Sequence, residues 1–239
     1  MIKEKKKCIS INNISKKYEI GTFGFKSVFK KNKTIDALKD INLDIYQSDR
    51  VGVLGLNGSG KSTLLKLISR VAYPTRGSID VEGKISSVLE AGAGFNMELS
   101  GVDNIFLNGA ILGMNRKRIF SKIKGIVDFS ELGEMINTPI KRYSTGMMIR
   151  LAFAIVTYLD GDIIILDEIM AVADESFRKK CVSKIITDTI SNSRTLLFVS
   201  HDIRNIAETC NKIICLNKGK LAYYGEAKEG IKFYNDNFS

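Results

Sequence analysis

An apolar run, Val51-Gly52-Val53-Leu54, breaks directly into the nine residues Gly55-Leu56-Asn57-Gly58-Ser59-Gly60-Lys61-Ser62-Thr63, and Leu64, Leu65, Leu67 and Ile68 follow at helical spacing. Few local patterns restrict a fold as strongly. A strand, a glycine-rich loop and a helix with one apolar face require a sheet on which that helix can pack. Glycines at 55, 58 and 60 allow positive φ and bring backbone N–H groups close to phosphate oxygens, and the start of the helix adds its partial positive charge. Lys61 can then reach β- and γ-phosphates, while the Ser62 hydroxyl suits Mg²⁺. Asn57, Ser59 and Thr63 complete the cradle, and a nucleoside triphosphate is the expected ligand.

At 239 residues and 44% hydrophobic content the chain can bury a sizeable core and is not of disordered composition. Its longest apolar candidate, Leu151 to Leu159, is about half of the roughly 20 residues that cross a bilayer. The start, Met1-Ile2-Lys3-Glu4-Lys5-Lys6-Lys7, has no apolar stretch of signal type behind it, so a cytosolic chain, soluble or peripheral, is expected. Cys8, Cys181, Cys210 and Cys215 are scattered beside a single histidine, which implies packing thiols rather than zinc ligands or disulfides. A net charge of +10 permits an anionic membrane surface or nucleic acid as partner. Residues 1–40 hold eleven lysines against four acids, and residues 21–33 interleave lysine with Phe23, Phe25 and Phe29. A solvated basic loop and a contact with acidic headgroups or a membrane partner both fit that stretch.

Alternation over Cys8 to Ile14 and Leu38 to Tyr46 predicts antiparallel strands, with Asn12-Asn13 and Gln47-Ser48-Asp49 as turns. Short strands are expected at Ser78 to Val81 and Ile85 to Leu89. From about Phe95 to Leu159 apolar residues recur at helical spacing, with glycines 101, 113, 125 and 133 as breaks. Strand signals return at Asp162 to Leu166, Thr195 to Ser200 and Ile213 to Asn217, with a helix over Ser176 to Ser191. The first two are continuous apolar runs of the kind buried on both faces of a parallel sheet. Gly225 to Ser239 reads as a short tail. The expected fold is α/β: a parallel-sheet core with an antiparallel β edge and an inserted α-helical subdomain. It forms one domain over 1–239, with core and β parts in 1–94 and 160–239 and the helical part in 95–159.

Ile163 to Leu166 ends in Asp167-Glu168, where the carboxyl end of a parallel strand faces a phosphate loop. Asp167 would hold Mg²⁺, and Glu168 would polarise the water that attacks the γ-phosphate. Ser200-His201-Asp202 follows another apolar strand, so His201 reaches the same sheet edge as donor or orienter. Tyr143-Ser144-Thr145-Gly146-Met147 opens a helix with Ser144 as its natural N-cap, which makes a second anion site.

Together these segments resemble the ATP-binding-cassette (ABC) ATPases, P-loop NTPases with a RecA-like core, over essentially the full chain. The resemblance implies ATP and Mg²⁺ as cofactors, with Glu168 and His201 catalytic. It also implies that Ser144, Thr145, Gly146 and Met147 stand for the signature that usually reads Leu-Ser-Gly-Gly-Gln. Two copies pair head to tail in that family, so the signature of one closes on the nucleotide of the other. The aromatic that stacks on adenine corresponds to Tyr18, with Phe23, Phe25 and Phe29 as alternatives.

Leu89-Glu90-Ala91-Gly92-Ala93-Gly94-Phe95, Glu98-Leu99-Ser100-Gly101, Tyr143 to Met147 with Arg150-Leu151-Ala152-Phe153-Ala154, and Ala171 to Phe177 with Lys179-Lys180-Cys181 are similar to the ATPase subunits that export O-antigen, capsule or teichoic acid. Glu90 stands where most members carry a Mg²⁺-ligating glutamine, and it ligates directly or through water. The resemblance implies a homodimer at the cytoplasmic face of the inner membrane, beneath separate permease subunits. Its cargo would be a lipid-linked polysaccharide, with no C-terminal sugar-binding domain and no nucleic acid. The alternatives are an importer or drug-exporter ATPase, or a nucleic-acid-acting cassette, although the tandem cassettes or long coiled-coil insertions of the latter are missing.

Overall fold

The structure is a computed structural model that describes residues 6–20, 33–87, 94–166, 175–200 and 202–238. In chain order the elements are β1 (Lys7–Ile20), β2 (Lys33–Tyr46), β3 (Arg50–Leu54), α1 (Lys61–Ile68), β4 (Arg76–Val81), β5 (Ile85–Ser87), α2 (Gly101–Ile111) and α3 (Arg116–Ser130). Then follow α4 (Thr145–Tyr158), β6 (Ile163–Leu166), α5 (Glu175–Ser191), β7 (Thr195–Val199), α6 (Ile203–Thr209), β8 (Lys212–Asn217), β9 (Lys220–Glu226) and α7 (Ala227–Phe238). They pack as two compact units, one of residues 1–47, 51–82 and 200–239, the other of residues 48–50 and 83–199.

In the first unit β1 pairs antiparallel with β2 on one side and β4 on the other. Ile9 and Ile11 point inward at strand spacing, but the next buried residue is Ile14, three further on. The step is made by a bulge: the register with β2 shifts between Ile11 and Ile14, and Asn13 takes φ 48°. Asn12-Asn13 is therefore a bulge inside a 14-residue strand rather than the expected turn. Asparagine tolerates the left-handed region, and here Asn42 both accepts from the Asn13 backbone N–H at 2.8 Å and donates to its side chain at 2.7 Å. β3 runs parallel to β8, and β8 returns antiparallel as β9 through Lys218-Gly219, at φ 47° and 80°.

The stretch after Gly225 is not a tail. β9 runs to Glu226, and α7 follows at once, packed through Gly230, where a Cβ would lie 2.6 Å from Ile213 Cβ. Phe233 stacks on Tyr223 at 5.5 Å. The helix segregates polar from apolar residues at helical period, with Gly230, Phe233 and Tyr234 in place of an aliphatic run, and the expectation of a tail overlooked that signal.

In the second unit β5, β6 and β7 are all parallel, and β6 and β7 are buried along their whole length, as continuous apolar strands require. Ser100 caps α2 in a reciprocal box with Asp103. Two glycines expected as breaks do other work. Gly101 is the first residue of α2, and Gly125 lies inside α3, where a Cβ would sit 2.5 Å from the Tyr158 ring of α4. The four cysteines are buried in the core. Among the described residues no helix is long and apolar enough to cross a membrane.

Candidate nucleotide site

The loop between β3 and α1 belongs to the first unit. Gly55, Gly58 and Gly60 take φ 150°, 76° and 108°, all in the range that favours glycine. Two of them are also hemmed in. A Cβ on Gly55 would lie 2.4 Å from the Leu216 carbonyl oxygen, and one on Gly60 would lie 2.7 Å from the Ala37 carbonyl oxygen. Gly58 has open space within 4 Å of its Cβ position, so the loop is walled at both ends and bare at its crown. Asn57 and Gly58 are exposed there, whereas Ser59 is buried.

Gly60 stands at the N-cap of α1 with no side chain to satisfy the first-turn N–H groups, and there is no acid in that turn. A helix start of that kind favours an anion. The Lys61 ammonium donates to the carbonyls of Gly55 and Leu56 at 2.8 and 3.1 Å, which spans the loop from helix to strand. The Ser62 hydroxyl is exposed, and Thr63 is half-buried.

Sequence reasoning missed the support behind this loop. The Gly219 N–H donates to the Ser59 carbonyl at 3.0 Å, and the Gly219 carbonyl accepts from the Lys39 N–H at 2.7 Å. The β8–β9 turn thus ties the loop to β2. A Cβ on Gly219 would fall 2.8 Å from the Ala37 oxygen. Asn217-Lys218-Gly219-Lys220, an apolar strand followed by a glycine turn, was the available signal.

Tyr18, near the end of β1, is 40% exposed, and the Lys16 ammonium lies 5.0 Å from its ring centre. A cation on one face leaves a ring free to stack a base on the other. Phe23, Phe25 and Phe29 lie outside the described residues, as do Glu90, Asp167, Glu168 and His201.

In the second unit Ser144 caps α4 as expected, its hydroxyl accepting from the Met147 N–H at 3.2 Å. Ser144 and Thr145 are exposed, Gly146 and Met147 half-buried, and a Cβ on Gly146 would meet only the Ser144 hydroxyl, at 3.8 Å. The preceding Tyr143 anchors the motif. Its ring is buried, its hydroxyl donates to the Met135 carbonyl at 2.8 Å, and burial raises its pKa above the usual phenol value. Both predicted anion sites are therefore helix starts with glycine beside them, one in each unit.

A phosphate loop between a parallel strand and its helix, with a second capped helix start, defines a P-loop nucleotide-binding cassette. The chain belongs to the ABC transporter family, whose sequence model, described as "ABC transporter", matches residues 38–171. It is 37% identical over 238 residues to the O-antigen export system ATP-binding protein RfbB of Klebsiella pneumoniae, covering 95% of this chain and 96% of that protein. It is 43% identical over 205 residues to the protein of the same name from Myxococcus xanthus, and 40% identical over 203 residues to the ABC transporter protein AbcA of Aeromonas salmonicida. The matches cover 86% and 85% of this chain, which spans about half of the Myxococcus protein (47%) and 66% of the Aeromonas one. In fold it is similar to a dimeric ATP-binding cassette solved with ADP and Pi, at a TM-score of 0.75 and 22% identity, covering 92% of this chain and 98% of that one.

Proposed function

We propose that this chain is the ATP-hydrolysing subunit of an exporter that moves a lipid-linked cell-surface polysaccharide of O-antigen type across the inner membrane. The whole chain works as one cassette. Two copies pair at the cytoplasmic face beneath separate permease subunits, and nucleic acid is not a partner. The observation that carries this is the match to the Klebsiella export protein along nearly the full length of both chains, together with a phosphate loop whose three glycines all need positive φ.

The backbone of Gly55 to Thr63 holds the phosphates, Lys61 neutralises the terminal ones, and Tyr18 stacks on the base. Glu168 takes a proton from the attacking water, which His201 orients. Ser144 to Met147 of the partner copy closes on the terminal phosphate from the other side, so hydrolysis waits on pairing. The exposed Ser62 hydroxyl at the first turn of α1 is a hard oxygen donor that fits Mg²⁺, with the carboxylates of Asp167 and Glu90 as companions. The ion, when bound, offsets the charge on the phosphate oxygens.

The test is Glu168→Gln in the full chain. It is expected to keep ATP affinity, lose most turnover and accumulate a nucleotide-bound pair. Hydrolysis at the unaltered rate would remove Glu168 from its role. Deletion of the protein should abolish surface polysaccharide, and unchanged glycan with loss of a small-solute transport would refute the export assignment.

A further inference from the structure

Outside the two anion sites, one cluster in the second unit gathers three helices around the Glu131 carboxylate. Glu131 follows the last residue of α3 in the left-handed conformation, φ 59°, which glycine would adopt without strain. Its Oε1 accepts from the Lys180 ammonium of α5 at 2.6 Å, and its Oε2 from the Arg150 guanidinium of α4 at 2.5 Å. Both cations also lie over rings. Arg150 sits 4.6 Å from the centre of Phe177, and Lys180 sits 4.7 Å from Phe129. Lys180 further donates to the Phe129 carbonyl at 3.3 Å, in the last turn of α3, where a cation is favoured. The two rings pack against each other at 5.8 Å and are almost fully buried. The cations hold the Glu131 carboxyl below the usual carboxylate range, Lys180 contributing most and Arg150 next.

We propose that Glu131 is a positioning residue for ATP turnover: by joining Arg150 and Lys180 at one carboxylate it fixes α4, and with it Ser144 to Met147, against α5. The proposal rests on the paired-site reading given above, in which the α4 start of one copy meets the nucleotide of the other. Arg150 lies six residues after Ser144, the N-cap of the same helix, so holding its side chain limits how α4 can turn about its axis. α5 begins at Glu175, directly after the segment that carries Asp167 and Glu168. One carboxylate thus couples the signature helix to the helix that follows the acidic pair. Without it, the connection from Arg150 of α4 through Glu131 to Lys180 of α5 is lost. Nucleotide affinity, set by the phosphate loop, has no part in this.

The experiment measures steady-state ATP turnover, ATP affinity and thermal midpoint for the full chain carrying Glu131→Gln, Glu131→Asp, Lys180→Met or Glu131→Gln with Lys180→Met. Glu131→Gln is expected to lower kcat about tenfold, the scale on which small misplacements of reacting groups act, with ATP affinity within about twofold. Glu131→Asp recovers part of kcat. The double variant is no slower than the worse single one, because either change breaks the same link. Unchanged kcat, additive effects, or a kcat loss that only tracks the thermal midpoint would each overturn the role. Should Glu131→Gln fail to fold, Lys180→Met carries the same comparison. Ser144→Arg is measured alongside: if it turns over normally, the paired-site reading falls and this role with it. If it is inactive while Glu131→Gln is fully active, only the positioning role falls.

Discussion

Replacing Gly60 by alanine places a methyl group 2.7 Å from the Ala37 carbonyl oxygen and 2.7 Å from Leu38 Cδ2, at a backbone φ of 108°. The backbone conformation alone costs a residue with a Cβ about 1–3 kcal/mol. Overlap with a strand carbonyl adds about 1–3 kcal/mol, since β2 cannot yield as a side chain tip does. The total expected for Gly60→Ala is therefore about 2–6 kcal/mol. Gly58→Ala is the internal control. Its φ is 76° and nothing lies within 4 Å of the added atom, so only the conformational part remains, about 1–2 kcal/mol.

The assay is urea unfolding followed by far-ultraviolet circular dichroism, since the chain has no tryptophan to report by fluorescence. The first unfolding transition is compared between the two variants, with and without ATP. Gly60→Ala should lose at least about 1 kcal/mol more than Gly58→Ala. Gly58→Ala, altered at the bare crown where phosphate would approach, should show the smaller stabilisation by ATP relative to its remaining stability. Equal destabilisation by the two substitutions would mean that contact with β2 does not hold the loop.

Two further outcomes follow from buried contacts. The Cys215 thiol, fully buried in β8, is pushed up to about 12 from an ordinary 9.0 by burial, so the folded state binds its proton more tightly than the unfolded one. Its contribution is fully present below pH 9 and is lost as pH rises toward 12; iodoacetamide at pH 8 should leave it unlabelled in peptide mapping until the chain is unfolded, and rapid native labelling would refute this burial. Gly125→Ala gains up to about 1 kcal/mol of helix propensity but drives its Cβ to 2.5 Å from the Tyr158 ring, with an overpacking cost of about 1–3 kcal/mol. Thermal unfolding should show a net loss in the native chain and a net gain in a Tyr158→Ala background; the same sign in both would exclude the ring as the cause.

The backbone conformation of the loop from Gly55 to Thr63 was legible because its demands are local. Positive φ at 55, 58 and 60 and a capless helix start can be stated from a nine-residue string. β6 and β7 were legible for a related reason, as strands buried on both faces leave an uninterrupted apolar run. Asn12-Asn13 misled because a turn and a bulge draw on the same left-handed tolerance, and only the partner strand, through Asn42, decides between them. α7 was legible in its amphipathic period but was overlooked, since its packing residues are Gly230 and aromatics such as Phe233 rather than an aliphatic run. The turn at Gly219 could be read from the sequence but its support of the loop could not, since its two hydrogen bonds join residues 39, 59 and 219, which are remote in sequence.

What Gly219 does for the phosphate loop, Glu131 does for the signature helix, and the two devices differ in kind. The loop is held by backbone hydrogen bonds and, at Gly55 and Gly60, by positions where no Cβ fits, so substitutions at those two glycines strain the loop itself. α4 is seated by its buried residues Leu151 to Thr157, and its link to α5 through Glu131 uses side chains that are half-exposed and charged, Glu131 at 47% and Lys180 at 41%. Such contacts are individually weak and screened by salt, so this link can be loosened without unfolding the unit. On the proposed reading, nucleotide capture rests on backbone contacts and the turnover geometry on an ionic joint. Raising ionic strength should accordingly slow ATP turnover in the native chain more than in Glu131→Gln, while ATP affinity falls equally in both.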